Sequence, residues 1–347
     1  MNDIKIVDST LRDGSHAIRH QFDVKTIRAY ATGAEEAGIP ILVVGHGNGL
    51  GASSLQLGFS KLPDVRMLSI ARSVLKRTKL AAFLIPGFGT IKNDLNPAIN
   101  IGLDTLMVAS HCTEANITRQ HIEYGVSKNL EVYGVLMMSH MLDAKRLVQQ
   151  AKLMQSYGAS AVILMDSAGA YLPEDVTIKI KLLINELKID VGFHAHNNLG
   201  MTIANSLAAV EAGAKIIDTT SRGLGAGAGN CQLEVIVAVL MRKGYKLDLD
   251  LFKLMDNSEK ITAKIMKKPQ EISAISLTSG LAGVFSGFAP HARMAAKRFG
   301  VDARDILVEL GRRKIVAGQE DIIVDIAANL KQKKSAIERE NPIEALI

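Results

Sequence analysis

Eight short apolar runs, several rich in β-branched residues, recur along the first two thirds of the chain, at residues 4–7, 41–44, 80–85, 105–108, 132–137, 161–165, 191–193 and 215–218. Segments with helical spacing separate them, at 24–37, 65–76, 117–128, 144–157, 175–187 and 203–212, and a seventh follows at 233–243. Near-continuous apolar strands joined by helices call for a parallel sheet covered on both faces. Eight such units in about 245 residues are the number that closes a (β/α)8 TIM barrel, with an open doubly wound sheet as the competing α/β architecture. The joints agree: "EEAGIPILVV", "MQSYGASAVIL" and "EAGAKIID" each put a glycine where a helix ends in a left-handed residue before the next strand.

The alternation stops after Gly244. Residues 249–269 are helical and charged, 276–288 are small and apolar, and helical segments follow at 290–299, 305–312 and 321–334. The expected organisation is a barrel over 1–265 and an all-helical C-terminal domain over 266–347. With 48% hydrophobic residues in 347, either unit can bury a core.

The net charge of +6 is dispersed, with "KQKK" at 331–334 as the local basic cluster, and aromatics are 4% with no tryptophan. Nucleic acid is therefore not an expected partner. Cys112 and Cys231 form no CxxC pair, which fits a reducing cytosol better than a disulfide framework. Apolar runs such as 235–241 fall far short of the roughly 20 residues that span a bilayer, and no leader is recognisable, so the expected location is cytoplasmic, away from membranes.

Barrel chemistry sits at the C-terminal ends of strands and in the loops that follow. Just past the first strand, "IVDSTLRDGSHAIRH" crowds Arg12, Asp13, His16, Arg19 and His20 into nine residues. At the seventh strand, "VGFHAHNNLG" places His194 and His196 two apart, on one face of an extended chain. Strands 1 and 7 of a closed barrel are separated by strand 8 alone, so Asp13 can complete a 2-His-1-carboxylate set that suits Mn2+, Mg2+, Co2+, Fe2+ or zinc. The alternative is a pair of polar strand caps bonded to neighbouring loops. "SRGLGAGAGN" lacks GxGxxG spacing and reads either as an anion-holding helix start or as tight packing beside the metal. Cys231 beside it reads as a buried thiol. His111 and His140 end strands 4 and 5, either lining the pocket or bonding a loop, and Ser167 after strand 6 is placed to contact a substrate oxygen.

"TLRDGSHAIRHQF", "GHGNGLGASS", "HCTEANITRQHI", "MMSHM", "DSAGA", "FHAHNNLG", "GAGAGN" and "GQEDIIVDIA" together resemble the 4-hydroxy-2-oxovalerate aldolases, class II pyruvate aldolases of aromatic meta-cleavage pathways. That family is grouped with the hydroxymethylglutaryl-CoA lyase and isopropylmalate synthase barrels, and the likeness runs over nearly the whole chain. The resemblance implies Mn2+ on Asp13, His194 and His196, with His194 also beside substrate. It further implies Arg12 against an enolate, His16 as general base and Ser167 on substrate. The reaction implied is retro-aldol cleavage of a 4-hydroxy-2-oxo acid to pyruvate and an aldehyde. The partner implied is an acylating acetaldehyde dehydrogenase, docked on the C-terminal region in a hetero-oligomer. One motif departs: where the family has Gly-Val-Tyr-Ser-Ser-Phe, this chain has "AGVFSGFAPH", with Phe285 and Gly287. Tyr171 is the candidate to supply the missing phenol. Competing readings are a Claisen-type condensing enzyme or CoA-thioester lyase of the same superfamily, and a non-catalytic scaffold for a dehydrogenase.

Overall fold

The computed structural model describes residues 4–316 and 318–334, so the parts of the expected domains at 1–3, 317 and 335–347 lie outside it. Eight parallel strands close on themselves in sequence order: β1 (Lys5–Asp8), β2 (Ile41–Val43), β3 (Lys79–Leu84), β4 (Thr105–His111), β5 (Glu131–Met137), β6 (Ala161–Asp166), β7 (Asp190–Ala195) and β8 (Ile216–Thr219). The (β/α)8 barrel is thus the observed architecture, and the doubly wound sheet is excluded by the direct β1 to β8 pairing, Lys5 with Ile216 through Asp8 with Thr219.

Alternation along each strand divides the core in two. Val7, Ile41, Val43, Ala81, Phe83, Met107, Tyr133, Val135, Ile163 and Ile216 point inward and fill the barrel. Their neighbours Ile6, Leu42, Leu80, Leu106, Leu136, Val162, Phe193 and Ile217 point outward and bury the apolar stripes of the helices. Each fully buried side chain of this kind contributes about 1.5–3 kcal/mol, so the fold rests on these two layers and not on the polar mouth.

The helices are α1 (Val24–Ala37), α2 (Asp64–Arg72), α3 (Asn96–Ile101), α4 (Arg119–Ser127), α5 (Ala144–Ser156), α6 (Pro173–Glu186), α7 (Thr202–Glu211) and α8 (Leu233–Arg242). Asp23 caps α1 by accepting from the Thr26 amide, and Gly38 ends it at φ 80°, bonding back to Ala34 and Glu35. Gly158 and Gly213 take the same left-handed turn at the other two joints read from the sequence. One helix escaped the sequence reading. The α3 segment starts on a π-helical turn at Ile91–Leu95, carries Pro97 in its first turn and fully buries only Ala98, so it shows no apolar stripe.

Beyond the barrel come α9 (Leu251–Asn257), a π-helical turn at Ser258–Thr262, α10 (Ala263–Ile265), α11 (Ala274–Leu281), α12 (Ala289–Phe299), α13 (Ala303–Arg312) and α14 (Ile322–Lys334). From α11 onward the helices share their own core of Val284, Phe288, Ala292, Ile306, Leu310 and Ile326. This helical unit is bolted to the mouth of the barrel. Ser286 donates to the Ser167 carbonyl from both its amide (3.2 Å) and its hydroxyl (3.0 Å), and Asn198 Nδ2 donates to Ser286 Oγ at 2.8 Å. Among the described residues no helix is long and apolar enough to cross a membrane.

Candidate active site

Asp13 opens a 3-10 turn, Asp13–Ile18, that folds the chain back over the end of β1. The turn buries Arg12 and Asp13 to 3% exposure each, so both charges must find partners inside. Arg12 Nη1 donates to Asp13 Oδ2 at 2.9 Å and to the Gly47 carbonyl at 3.2 Å, and its guanidinium lies 4.6 Å from the centre of the Phe83 ring. Its Nε and Nη2 have no hydrogen-bond acceptor. Asp13 Oδ1 accepts from Asn230 Nδ2 at 2.8 Å and from the Ala226 amide at 3.3 Å. Burial alone would raise the Asp13 pKa, but Arg12 and the imidazoles of His196, His16 and His194 hold it well below the usual carboxylate range.

The second half of the site comes from β7. His194 pairs across the ladder with Met165 of β6 and Asp218 of β8, and projects inward with His196. Both Nε2 atoms lie 3.8 Å from Asp13 Oδ2, and one ligand atom from each of Asp13, His194 and His196 falls within 4.8 Å of the others. Burial pulls the His196 pKa down to about 4 against the attraction of Asp13, leaving a neutral ring with a lone pair to donate. His194 Nε2 and His196 Nδ1 have no hydrogen-bond partner. Two imidazoles and one carboxylate converging with open valences fit a divalent cation of the Mn, Fe, Co or Zn group. The sequence-derived triad is therefore brought together in space, with Arg12 against it.

The glycine run after β8 serves packing. A Cβ on Gly225 would stand 2.6 Å from Asp13 Oδ1 and run into the Asn230 amide, so only glycine lets this loop close over the carboxylate. The start of α8 is filled from within the chain, since Glu234 accepts from the Arg222 amide at 3.0 and 3.1 Å. Cys231 is fully buried, which pushes its thiol up to about 12 and leaves it unreactive.

His16, half-buried, stands beside this set, and its pKa is lowered from 6.5 by burial and by Arg12, against Asp13 and a hydrogen bond to the Gly47 backbone. A Cβ on Gly47 would collide with His16 Nε2, so the backbone of the β2 loop closely fixes this ring. Behind it His20 and His46 stack at 3.8 Å, and His20 meets His16 edge-on at 5.0 Å. His20 Nδ1 bonds Ser15 Oγ, while His46 accepts from the Asn48 amide and bonds the Gly58 carbonyl, so both act as wall and loop supports.

The remaining sequence candidates divide. Ser167 is fully buried and its hydroxyl accepts from the Met138 amide at 3.0 Å, holding Met138 at φ 54°. His111 bonds Thr113 Oγ1 at 2.7 Å, and His140 bonds the Gly283 carbonyl at 3.0 Å, so both tie loops, the second tying the helical unit to the barrel. Tyr171 does not stand in for the phenol absent at Phe285. Its ring stacks on Phe193 in the layer between barrel and helices, and its hydroxyl donates to Ser139 Oγ and accepts from Lys179 Nζ. Phe285 packs edge-on against Phe288 at 5.6 Å, next to the Ser286 bolt.

Sequence reading did not single out Asp218, Asn230, Phe83, His46 or Gly47. Asp218 carried the clearest signal, a carboxylate at the end of an otherwise apolar barrel strand. Its Oδ2 lies 3.0 Å from His194 Nδ1 and 3.9 Å from Arg12 Nη2.

A closed barrel with such a donor set at the C-terminal ends of its strands belongs to the class of barrel enzymes that work through a divalent cation. The HMGL-like family matches residues 3–261, and the DmpG-like communication domain matches residues 270–332. A 4-hydroxy-2-oxovalerate aldolase from Geobacillus thermodenitrificans is 52% identical over 96% of this chain and 97% of its own length. One from Pectobacterium atrosepticum is 50% identical over 97% and 98%. Among solved structures, the carboxyl transferase domain of Rhizobium etli pyruvate carboxylase superposes with a TM-score of 0.78 at 17% identity, over 98% of this chain and 63% of that one, a likeness of fold alone. The chain belongs to the 4-hydroxy-2-oxovalerate aldolases of the HMGL-like family.

Proposed function

We propose that the protein cleaves 4-hydroxy-2-oxo acids, 4-hydroxy-2-oxopentanoate first among them, into pyruvate and an aldehyde, acetaldehyde in that case. The observation that carries this reading is the convergence of Asp13, His194 and His196 beside the two unpaired Arg12 donors. Asp13, His194 and His196 would hold a divalent ion, Mn2+ in our reading, which when bound would supply Lewis acidity to the 2-oxo acid. Arg12 presents Nε–H and Nη2–H to the oxygen on which negative charge gathers. Its position is held by Asp13, the Gly47 carbonyl and the Phe83 ring face. His16, kept neutral by its lowered pKa, accepts the C4 hydroxyl proton. The C3–C4 pair of electrons then passes to the pyruvate enolate, the aldehyde departs, and protonation at C3 closes the balance. Ser167 retains its own O–H to offer to a substrate carboxylate oxygen.

We assign catalysis to residues 1–265 and docking to the helical region from 266 onward, whose match to a DmpG-like communication domain supports an aldehyde-consuming partner, an acylating acetaldehyde dehydrogenase. The test supplies purified protein and Mn2+ with 4-hydroxy-2-oxopentanoate and longer 4-hydroxy-2-oxo acids, reading pyruvate with lactate dehydrogenase and NADH. Pyruvate release supports the assignment. Metal binding without pyruvate from any of these substrates overturns it in favour of a scaffold, and consumption of acetyl-CoA with a 2-oxo acid overturns it in favour of a Claisen enzyme.

A further inference from the structure

Among the described residues, Asp218 is the buried carboxylate left without a hydrogen-bond donor. Both of its oxygens are buried without an aligned hydrogen-bond donor, and the residue is 0% exposed. A carboxylate in that position is costly unless something nearby uses its charge. Two positive or polar groups face it: His194 Nδ1 at 3.0 Å, directly across the β7–β8 ladder, and Arg12 Nη2 at 3.9 Å. Asp8, one strand away, faces the other side of the sheet. It accepts from Thr10 and from Tyr30 and is satisfied there.

We propose that Asp218 is the positioning residue of the metal centre, fixing His194 as the tautomer with its proton on Nδ1 so that the Nε2 lone pair faces Asp13. The proposal rests on the reading that Asp13, His194 and His196 hold a divalent ion. A metal-ligating imidazole generally gives its other ring N–H to a carboxylate, which orients the ring and strengthens it as a donor. The register brings the two groups within reach, with Nδ1 3.0 Å from Oδ2 and turned off the line of a hydrogen bond: residues paired across parallel strands of a rigid barrel keep their side chains together without a loop to adjust. Charge agrees with geometry. Counted as formal charges, Asp13 and Asp218 give two negatives and Arg12 one positive, so a divalent ion brings the set to one positive and the carboxylate of a 2-oxo acid brings it to neutral. Without Asp218 the site holding both ion and substrate would keep one uncompensated buried positive charge. Without metal, Asp218 is itself the uncompensated charge, so it stabilises the loaded protein at the expense of the metal-free one.

That asymmetry makes the test. Mn2+ affinity of the full chain is measured by the paramagnetic signal of free Mn2+, and the melting temperature of the chelated protein is measured in parallel, for wild type, Asp218→Asn and Asp8→Asn. The expected result is a Kd for Mn2+ raised about 10–100-fold in Asp218→Asn, with the metal-free melting temperature unchanged or higher, and a Kd within about twofold of wild type in Asp8→Asn. Wild type that fails to bind Mn2+ overturns the metal-site reading itself. Wild type that binds, with Asp218→Asn binding equally well, overturns this proposal and leaves that reading intact. An Asp218→Asn protein that unfolds or melts lower without metal makes Asp218 a structural carboxylate, which also overturns it.

Discussion

Two buried polar clusters lie at the C-terminal ends of the barrel strands, and they are built on opposite rules. Around β5 and β6, Tyr171 donates to Ser139, Ser139 donates to the Met165 carbonyl, Lys179 donates to Tyr171, and Asp166 accepts from the amides of Ala170 and Tyr171, which leaves His140 Nδ1 and Asn205 Oδ1 as unmet atoms at the edge of a closed chain of bonds. Around β1, β7 and β8, Arg12, His194, His196, Asp218 and Asn230 all keep a buried polar atom without a partner. Leaving such an atom unmet costs about 1–3 kcal/mol apiece, so an accumulation of them marks a place shaped for something that is not protein. The closed cluster is architecture, and the open one is chemistry.

The largest effects should come from the open cluster. Asp13→Asn removes the anionic ligand and should lower kcat by about 10^3-fold, the scale of several kcal/mol of transition-state stabilisation, while circular dichroism stays native. Loss of His16 as His16→Ala should cost about 10^2–10^4-fold with Mn2+ affinity nearly unchanged, separating the base from the ligands. Because the His16 pKa lies below 6.5, the acid limb of the wild-type kcat/KM profile should also lie below pH 6.5, and it should vanish in His16→Ala. Gly47→Ala pushes a methyl group into His16 Nε2 and should lower kcat about 10^2-fold with little change in the melting temperature.

In the closed cluster the pattern should invert. Tyr171→Phe should destabilise by about 1–2 kcal/mol and leave kcat within about twofold. A comparable loss of turnover there would dissolve the distinction between the two clusters.

The histidine wall behind His16 offers a further contrast, because its effect is on stability. His20 and His46 have pKa values near 3 and 4 in the fold and 6.5 outside it, driven by burial. The stability they contribute is whole above pH 6.5 and drains away as the pH falls towards 4, about 2–3 kcal/mol for each. Urea midpoints between pH 7 and 4.5 should show this fall, with a shallower slope in His46→Gln.

The barrel was readable because its signal is repeated eight times and each repeat is buried on both sides, so period and burial agree. Helix α3, with one fully buried residue and a proline in its first turn, lacks that signal and went unread. The triad was readable because two histidines at i and i+2 on a strand must share a face, and because strands 1 and 7 flank strand 8 in any eight-stranded closure. Asp218 and Asn230 were not, since their relation to His194 and Asp13 is set by register across strands and by the fold of a glycine loop. Tyr171 was misjudged for a related reason. A position just past a strand end does not say whether the side chain turns into the barrel or out to the helices, and here it turns out, onto Phe193.

The central claim is tested most directly by titrating Mn2+ into exhaustively chelated protein while following pyruvate release from 4-hydroxy-2-oxopentanoate. The account predicts no pyruvate at the start and a rate that rises in proportion to bound metal up to one ion per chain. Pyruvate formed at full rate by the chelated protein, or a rate indifferent to metal occupancy, would contradict it.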